Sequence, residues 1–190
     1  MRHPPALAAL EALPAEGLQP LVGANGPDFT SAMFAISTWG SSTSVRERLL
    51  SEAEFPLPGD LTAFLVVNQL VYRGAASPTA LADAIDTGRS NISKVVARLE
   101  SHGLVVRVAD PTDKRAIVVA LTAEGRVVAG RIVEATLSQQ APSLSDWSPE
   151  DGRELERLIV KLARALEALP QHPLSTIAGV RFDSADSAEP

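Results

Sequence analysis

Residues 89–122 read RSNISKVVARLESHGLVVRVADPTDKRAIVVALT, and the fold of the chain follows from them. Ile92, Val95, Val96 and Leu99 recur at i, i+3, i+4 and i+7, the spacing of one apolar stripe on a helix. Ser90, Lys94, Ala97, Arg98 and Ser101 then face the other way, with Asn91 and Ser93 on the flanks. Gly103 follows His102 at the place where a positive φ ends a helix at little cost. Two β-branched runs come next, 104–108 and 116–121, separated by Asp110-Pro111-Thr112-Asp113-Lys114-Arg115. The proline and the four charges make that separator a turn with a polar tip.

Working upstream, Ser77-Pro78 is a helix start, with Ser as N-cap and Pro at the first helical position. Leu81, Ala84 and Ile85 supply a buried face, and Asp86-Thr87-Gly88 is a tight turn into the next helix. Two short helices joined by such a turn are a helix-turn-helix. With the charged hairpin behind it, the layout is a winged helix-turn-helix. The outward residues of the second helix are small, hydroxylic, amide or basic, which suits entry into a major groove and hydrogen bonding to base edges and phosphates. The expected DNA contacts are Arg89, Ser90, Asn91, Ser93, Lys94 and Arg98 from the helix, and Lys114 and Arg115 from the tip. Asp110, Asp113 and Arg115 are expected to brace the wing, one acid pairing with Arg115.

Charge distribution supports this. The chain carries a net charge of −6. Residues 87–115 nevertheless hold six basic residues against three acidic ones, a balance of +3, whereas residues 1–60 hold three against seven, a balance of −4. Local charge, rather than the total, sets phosphate affinity. The reading expects the acid to lie away from the reading surface.

Cysteine is absent, which removes disulfides, thiolate metal sites and thiol nucleophiles. His3, His102 and His172 have no i, i+4 partner, so no metal site and no cofactor is expected. No glycine-rich phosphate loop or nucleophile–base pair suggests an enzyme. No apolar run approaches the ~20 residues that span a bilayer. Glu11, Pro14 and Glu16 interrupt the Ala/Leu stretch after Arg2, so a secretory signal is not read there and a cytoplasmic protein is expected.

The remaining chain divides as follows. Residues 1–26 form a Pro-punctuated arm. A long helix is expected over 28–53, weakened by Gly40 and the serine run that follows, and a second over 60–72. Thr122 starts a helix to about residue 140, and Ser148-Pro149-Glu150-Asp151 starts the last one, to about residue 169. Aromatic residues are only 4% of the chain, which favours helix-on-helix packing. The fold class is therefore mainly α with a small β wing: residues 60–121 are the winged helix-turn-helix lobe, 27–59 and 122–169 a helical dimerisation region, and 170–190 a disordered acidic tail. Leu155, Leu158, Ile159, Leu162, Leu166 and Leu169 form an unbroken apolar stripe that asks for a partner helix from a second subunit, with packing against the chain's own long N-terminal helix as the competing reading.

Together these features resemble the MarR family of ligand-responsive winged-helix regulators, over residues 61–125. The specific parts are Leu81-Ala82-Asp83, Ser90-Asn91-Ile92-Ser93-Lys94, Arg98-Leu99-Glu100-Ser101-His102-Gly103-Leu104-Val105, and the 110–116 tip with Leu121-Thr122 after it. The resemblance implies a homodimer whose two recognition helices meet double-stranded DNA at a near-palindrome. It also implies a repressor released by a small organic effector bound between the dimer region and the reading lobe. Lacking cysteine, the chain cannot sense peroxide as some members of that family do. Candidate effector residues are Phe34 and Trp39 on the first long helix and Phe64, Asn68 and Tyr72 on the second. The last three share an i, i+4 face that suits an aromatic or planar ligand; core packing of the rings is the competing reading. The alternative function is a winged-helix protein-interaction module without DNA binding.

Overall fold

The computed structural model describes residues 21–23, 26–110, 113, 115–171, 173–180 and 182. The arm at residues 1–20, Lys114, His172 and the last eight residues lie outside them. The chain falls into two units, residues 1–46 and 47–190.

In the first unit, α1 spans Phe29–Ser41. Asp28 caps it by accepting from the Ser31 amide at 2.8 Å, and Ser31 Oγ accepts from the Asp28 amide at 2.9 Å, a reciprocal capping box. The expected single helix over 28–53 is broken at Ser42, whose ψ of 143° is extended; α2 then runs over Thr43–Glu52. The Ser42 hydroxyl donates to the Trp39 carbonyl at 2.8 Å, so a side chain offers the backbone an alternative to the helix ladder.

The second unit holds the core. Helix α3 covers Leu61–Arg73 and buries Ala63, Phe64, Val66, Val67 and Leu70. Gly74, at φ 70°, stops it and turns the chain into a two-residue strand, β1, Ala75–Ala76. Helix α4 spans Pro78–Ala84 behind the Ser77 cap, and α5 spans Arg89–Ser101. Between them Asp86 sits in the left-handed region at φ 50°, a conformation that Asp tolerates better than most residues. Strands β2, Val105–Ala109, and β3, Ile117–Leu121, form the hairpin, with Arg107 opposite Val119. β1 joins β3 on its other side, so the sheet order is β1-β3-β2. Sequence periodicity had no means of finding β1, since two alanines carry no alternation.

Helix α6 spans Ala123–Gln140, followed by a 3₁₀ turn over Ala141–Leu144. Helix α7 spans Pro149–Glu167, opened by a Ser148/Asp151 capping box. A further short helix, α8, occupies Leu174–Ala178. The expectation of a disordered tail from residue 170 is thus corrected for this segment. Composition alone overlooks that a docked segment gains partners: Ser175 donates its amide and hydroxyl to the Glu167 carboxylate, and Arg73 donates to the Ile177 carbonyl.

The expected apolar stripe of α5, namely Ile92, Val95, Val96 and Leu99, is fully buried in one core cluster with Phe64, Leu70, Leu81, Leu104, Val119, Val128 and Ile132. At about 25 cal/mol per Å² of apolar surface removed from water, each such side chain contributes about 1.5–3 kcal/mol. This core is what seats α5 and turns its opposite face outward.

Candidate nucleic-acid interface

The outward face of α5 is built by its ends. Gly88, the N-cap, supplies no side-chain bond to the first-turn amides. The Asn91 amide bonds the Gly88 carbonyl at 2.9 Å, which leaves the Arg89 and Ser90 amides and the positive end of the helix dipole to face an anion. At the other end, the Gly103 amide bonds the Glu100 carbonyl and the Leu104 amide bonds the Leu99 carbonyl, both at 2.9 Å, with Gly103 at φ 68°. This is a Schellman stop, and it throws the chain straight into β2. His102 Nδ1–H donates to the Arg98 carbonyl at 2.9 Å, in keeping with its reading as a capping residue.

Arg89, Ser90, Asn91, Ser93, Lys94 and Arg98 are all exposed. Their side chains are not equally disposed. Asn91 Nδ2 donates to Thr87 Oγ1 at 3.0 Å and Ser93 Oγ donates to the Arg89 carbonyl at 3.1 Å. Arg89, Ser90 and Lys94 have no side-chain hydrogen bond or ion pair among the described residues. Arg98 differs most: its Nε and one terminal nitrogen both donate to Asp60 Oδ2, at 2.9 and 2.6 Å. Asp60 Oδ1 at the same time caps α3 by accepting from the Ala63 amide at 3.0 Å. The expectation that acid keeps away from the reading helix is corrected here. Asp60 is remote in sequence but adjacent in space. A second pair, Arg107 on β2 with Glu100 on α5, also went unforeseen. Of the basic residues counted at 87–115, Arg98 and Arg107 are therefore neutralised locally.

Among the described residues, the wing tip is braced by carboxylate-to-amide bonds rather than by an ion pair to Arg115. Asp113 Oδ1 accepts from the Arg115 backbone amide at 3.0 Å, and Asp110 Oδ1 receives the Asp113 amide at 3.4 Å. Backbone bonds Asp110 N–H to Ala116 and Ala116 N–H to Asp113, both at 2.9 Å, close the turn. Short carboxylates reach backbone amides two or three residues on more readily than they reach a guanidinium that points outward. The Arg115 side chain is exposed and has no acidic partner among the described residues. Lys114 falls outside them.

The hairpin is closed at its base by Thr122. Its hydroxyl donates to the Gly103 carbonyl and accepts from the Gly125 amide at 2.9 Å, so one side chain joins the end of α5 to the start of α6.

The expected effector residues differ in their exposure. Phe64 is only 1% exposed and packs edge-to-face on Phe55, with centroids 5.8 Å apart, so it is core rather than a ligand surface. Asn68 is half-buried and Tyr72 is 52% exposed on α3; Phe34 and Trp39 are exposed on α1, in the other unit. A groove of about 200 Å³ lies elsewhere, lined by Leu70, Val71 and Gly74 from α3, Leu121 from β3, and Arg126, Ala129, Gly130 and Val133 from α6.

A family model described as MarR family matches residues 60–116. Among curated proteins, the chain is 38% identical over 88 residues to a transcriptional regulatory protein proposed for the hcr operon of Thauera aromatica, covering 46% of this chain and 53% of that one. It is 30% identical over 108 residues to the transcriptional regulator HosA of Escherichia coli O111:H-, covering 56% of this chain and 80% of that one. The chain thus spans about half the length of the first of these relatives. Among solved structures, a MarR family protein from Bacillus stearothermophilus shares the fold with a TM-score of 0.55 at 22% identity, over 72% of this chain and 94% of that one. The apo form of MarR from E. coli does so with a TM-score of 0.51 at 20% identity, over 72% and 97%.

Proposed function

This chain belongs to the MarR family, and we propose that it regulates transcription by binding double-stranded DNA as a homodimer. Its relatives are regulators rather than enzymes. The observation that carries the reading is the face of α5. Arg89, Ser90 and Lys94 stand exposed and unpaired among the described residues, at a helix N-terminus without a side-chain cap, on a helix whose other side is wholly buried. Ser90, Asn91 and Ser93 are the proposed base readers, and Arg89 and Lys94 the phosphate or guanine contacts. Arg115 and Lys114 are the proposed wing contacts.

Dimer formation is supported by what the single chain leaves in water. Leu158, Ile159 and Leu166 on α7 and Leu169 just beyond it are 38–55% exposed, and α1, including Phe29, Met33 and Ile36, is without a buried residue. Read as a homodimer, the protein would present two recognition helices to a near-palindromic operator, whose half-sites lie roughly 34–36 Å apart, one turn of DNA. Repression follows if the dimer occludes a promoter. The proposed effector is a small, largely apolar organic molecule. The groove of α3 and α6 supports such a ligand, with Arg126 available to an anionic group.

The test is a fluorescence-anisotropy titration of a duplex recovered by in vitro selection, beside a scrambled duplex, across a salt series. Preferential binding that falls steeply with salt is the expected result. Equal or absent binding on both duplexes at low salt would replace this reading with the protein-interaction module.

A further inference from the structure

The recognition helix is gripped by two ion pairs of opposite polarity. Arg98 reaches outward to Asp60 at the start of α3, and Glu100 reaches to Arg107 on β2. Residues two apart on a helix point about 200° apart around its axis. The two pairs therefore hold α5 on nearly opposite flanks. We infer that Asp60 and Arg107 are positioning residues for DNA reading: acting through Arg98 and Glu100, they fix the roll of α5 about its own axis. The inference rests on the proposed reading of DNA by this helix.

The physical need is plain. The apolar stripe of α5 sets its depth and direction, but branched side chains in a core tolerate small rotations. At a helix radius of about 5 Å, a roll of about 10° moves an outward side chain by about 1 Å. Hydrogen bonds to base edges have a working range of about 0.5 Å. Ser90, Asn91 and Ser93 have short side chains that cannot reach to correct such an error. Arg89 and Lys94, the flexible groups nearest to Ser90 on that face, have no partner among the described residues and so cannot hold the roll, whereas Arg98, about 12 Å along the axis from Ser90, is engaged. Asp60 is well placed for the task because its other oxygen is fixed to the α3 backbone at Ala63, so the anchor itself does not swing. Arg98 acts here as the link to that anchor rather than as a phosphate contact.

The two roles give opposite results in one experiment. Asp60→Asn keeps a good N-cap and removes the charge of the pair. Together with Arg98→Gln, Glu100→Gln and Arg107→Gln, it is titrated against the selected and scrambled duplexes across a salt series. Positioning predicts that each lowers affinity for the selected duplex by about fivefold, the scale of a well-formed surface pair, with the scrambled duplex and the salt slope unchanged. The Asp60→Asn/Arg98→Gln double variant is then no worse than either single one. A direct contact predicts otherwise: Arg98→Gln weakens both duplexes and lowers the salt slope by about one, while Asp60→Asn binds both more tightly. That pattern overturns the inference. If wild-type protein fails to prefer the selected duplex, the DNA-reading proposal fails first, and separately. Thermal melts confirm that each variant is folded; should Asp60→Asn melt early, the Glu100 and Arg107 variants carry the same test.

Discussion

Gly125 and Leu104 approach so closely that a β-carbon on residue 125 would stand 1.9 Å from the carbonyl oxygen of Leu104. The first turn of α6 thus rests directly on the backbone where α5 hands over to β2. Gly125→Ala gains helix propensity yet must push this junction apart, so it is expected to destabilise the fold by about 3 kcal/mol, the upper end for overpacking. Gly130, on the same helix, has nothing within 4 Å of its virtual β-carbon, and Gly130→Ala is expected to stabilise by up to about 1 kcal/mol. Urea denaturation of both variants decides; equal effects would refute the close approach.

The C-terminal segment should be a docked element rather than a free tail. Arg73 donates to the Ile177 carbonyl, and a β-carbon on Gly179, itself at φ 78°, would meet Arg73 Cγ at 2.4 Å. Arg73→Met is expected to speed hydrogen exchange at the Ser175 and Gly179 amides while leaving α5 protected. Unchanged protection at both amides would count against the docking.

The start of α1 should respond to acid. The amide and hydroxyl of Ser31 bond the Asp28 carboxylate and hold its pKa below the ordinary 3.8. A depressed carboxylate contributes stability that is fully present above the unfolded value and is lost as pH falls through the folded one. Carbon chemical shifts of residues 28–31 should therefore report fraying below pH 3.8, and Asp28→Asn, which retains a cap without the charge, should abolish that response.

Ile159→Asp separates subunit association from folding. Ile159 is 55% exposed in the single chain, so a carboxylate there costs the isolated fold little. Buried in a dimer, it would be an unpaired charge. Sedimentation should show the wild-type chain as a dimer and the variant as a folded monomer; an undisturbed dimer would place the interface elsewhere.

The reading lobe was largely legible because its signals are local. The Ile92/Val95/Val96/Leu99 stripe, the Ser77 cap, the Gly103 stop and the Thr122 start each depend on neighbours a few residues away. The break at Ser42 was hinted at by its serine run, but whether a hydroxyl bonds back to the helix or faces water depends on the final backbone. Phe64 shares an i, i+4 face with Asn68 and Tyr72 that suits either a ligand or the core, because periodicity names a face without saying what covers it; Phe55 covers the Phe64 ring, while Tyr72 stays exposed.

What the sequence determined by itself is the run from α4 through α5 and the β2–β3 hairpin to α6 and the chemical character of the α5 face, since helix period, caps and turns are short-range physics. What the tertiary structure alone decided is which of those charges are already engaged. Asp60 lies 38 residues from Arg98, and Glu100 seven from Arg107 across a helix end and a turn. No local propensity links such partners. They meet because the apolar core folds α3, α5 and the hairpin onto one another, and only then does a charge that reads as a DNA contact become a strut.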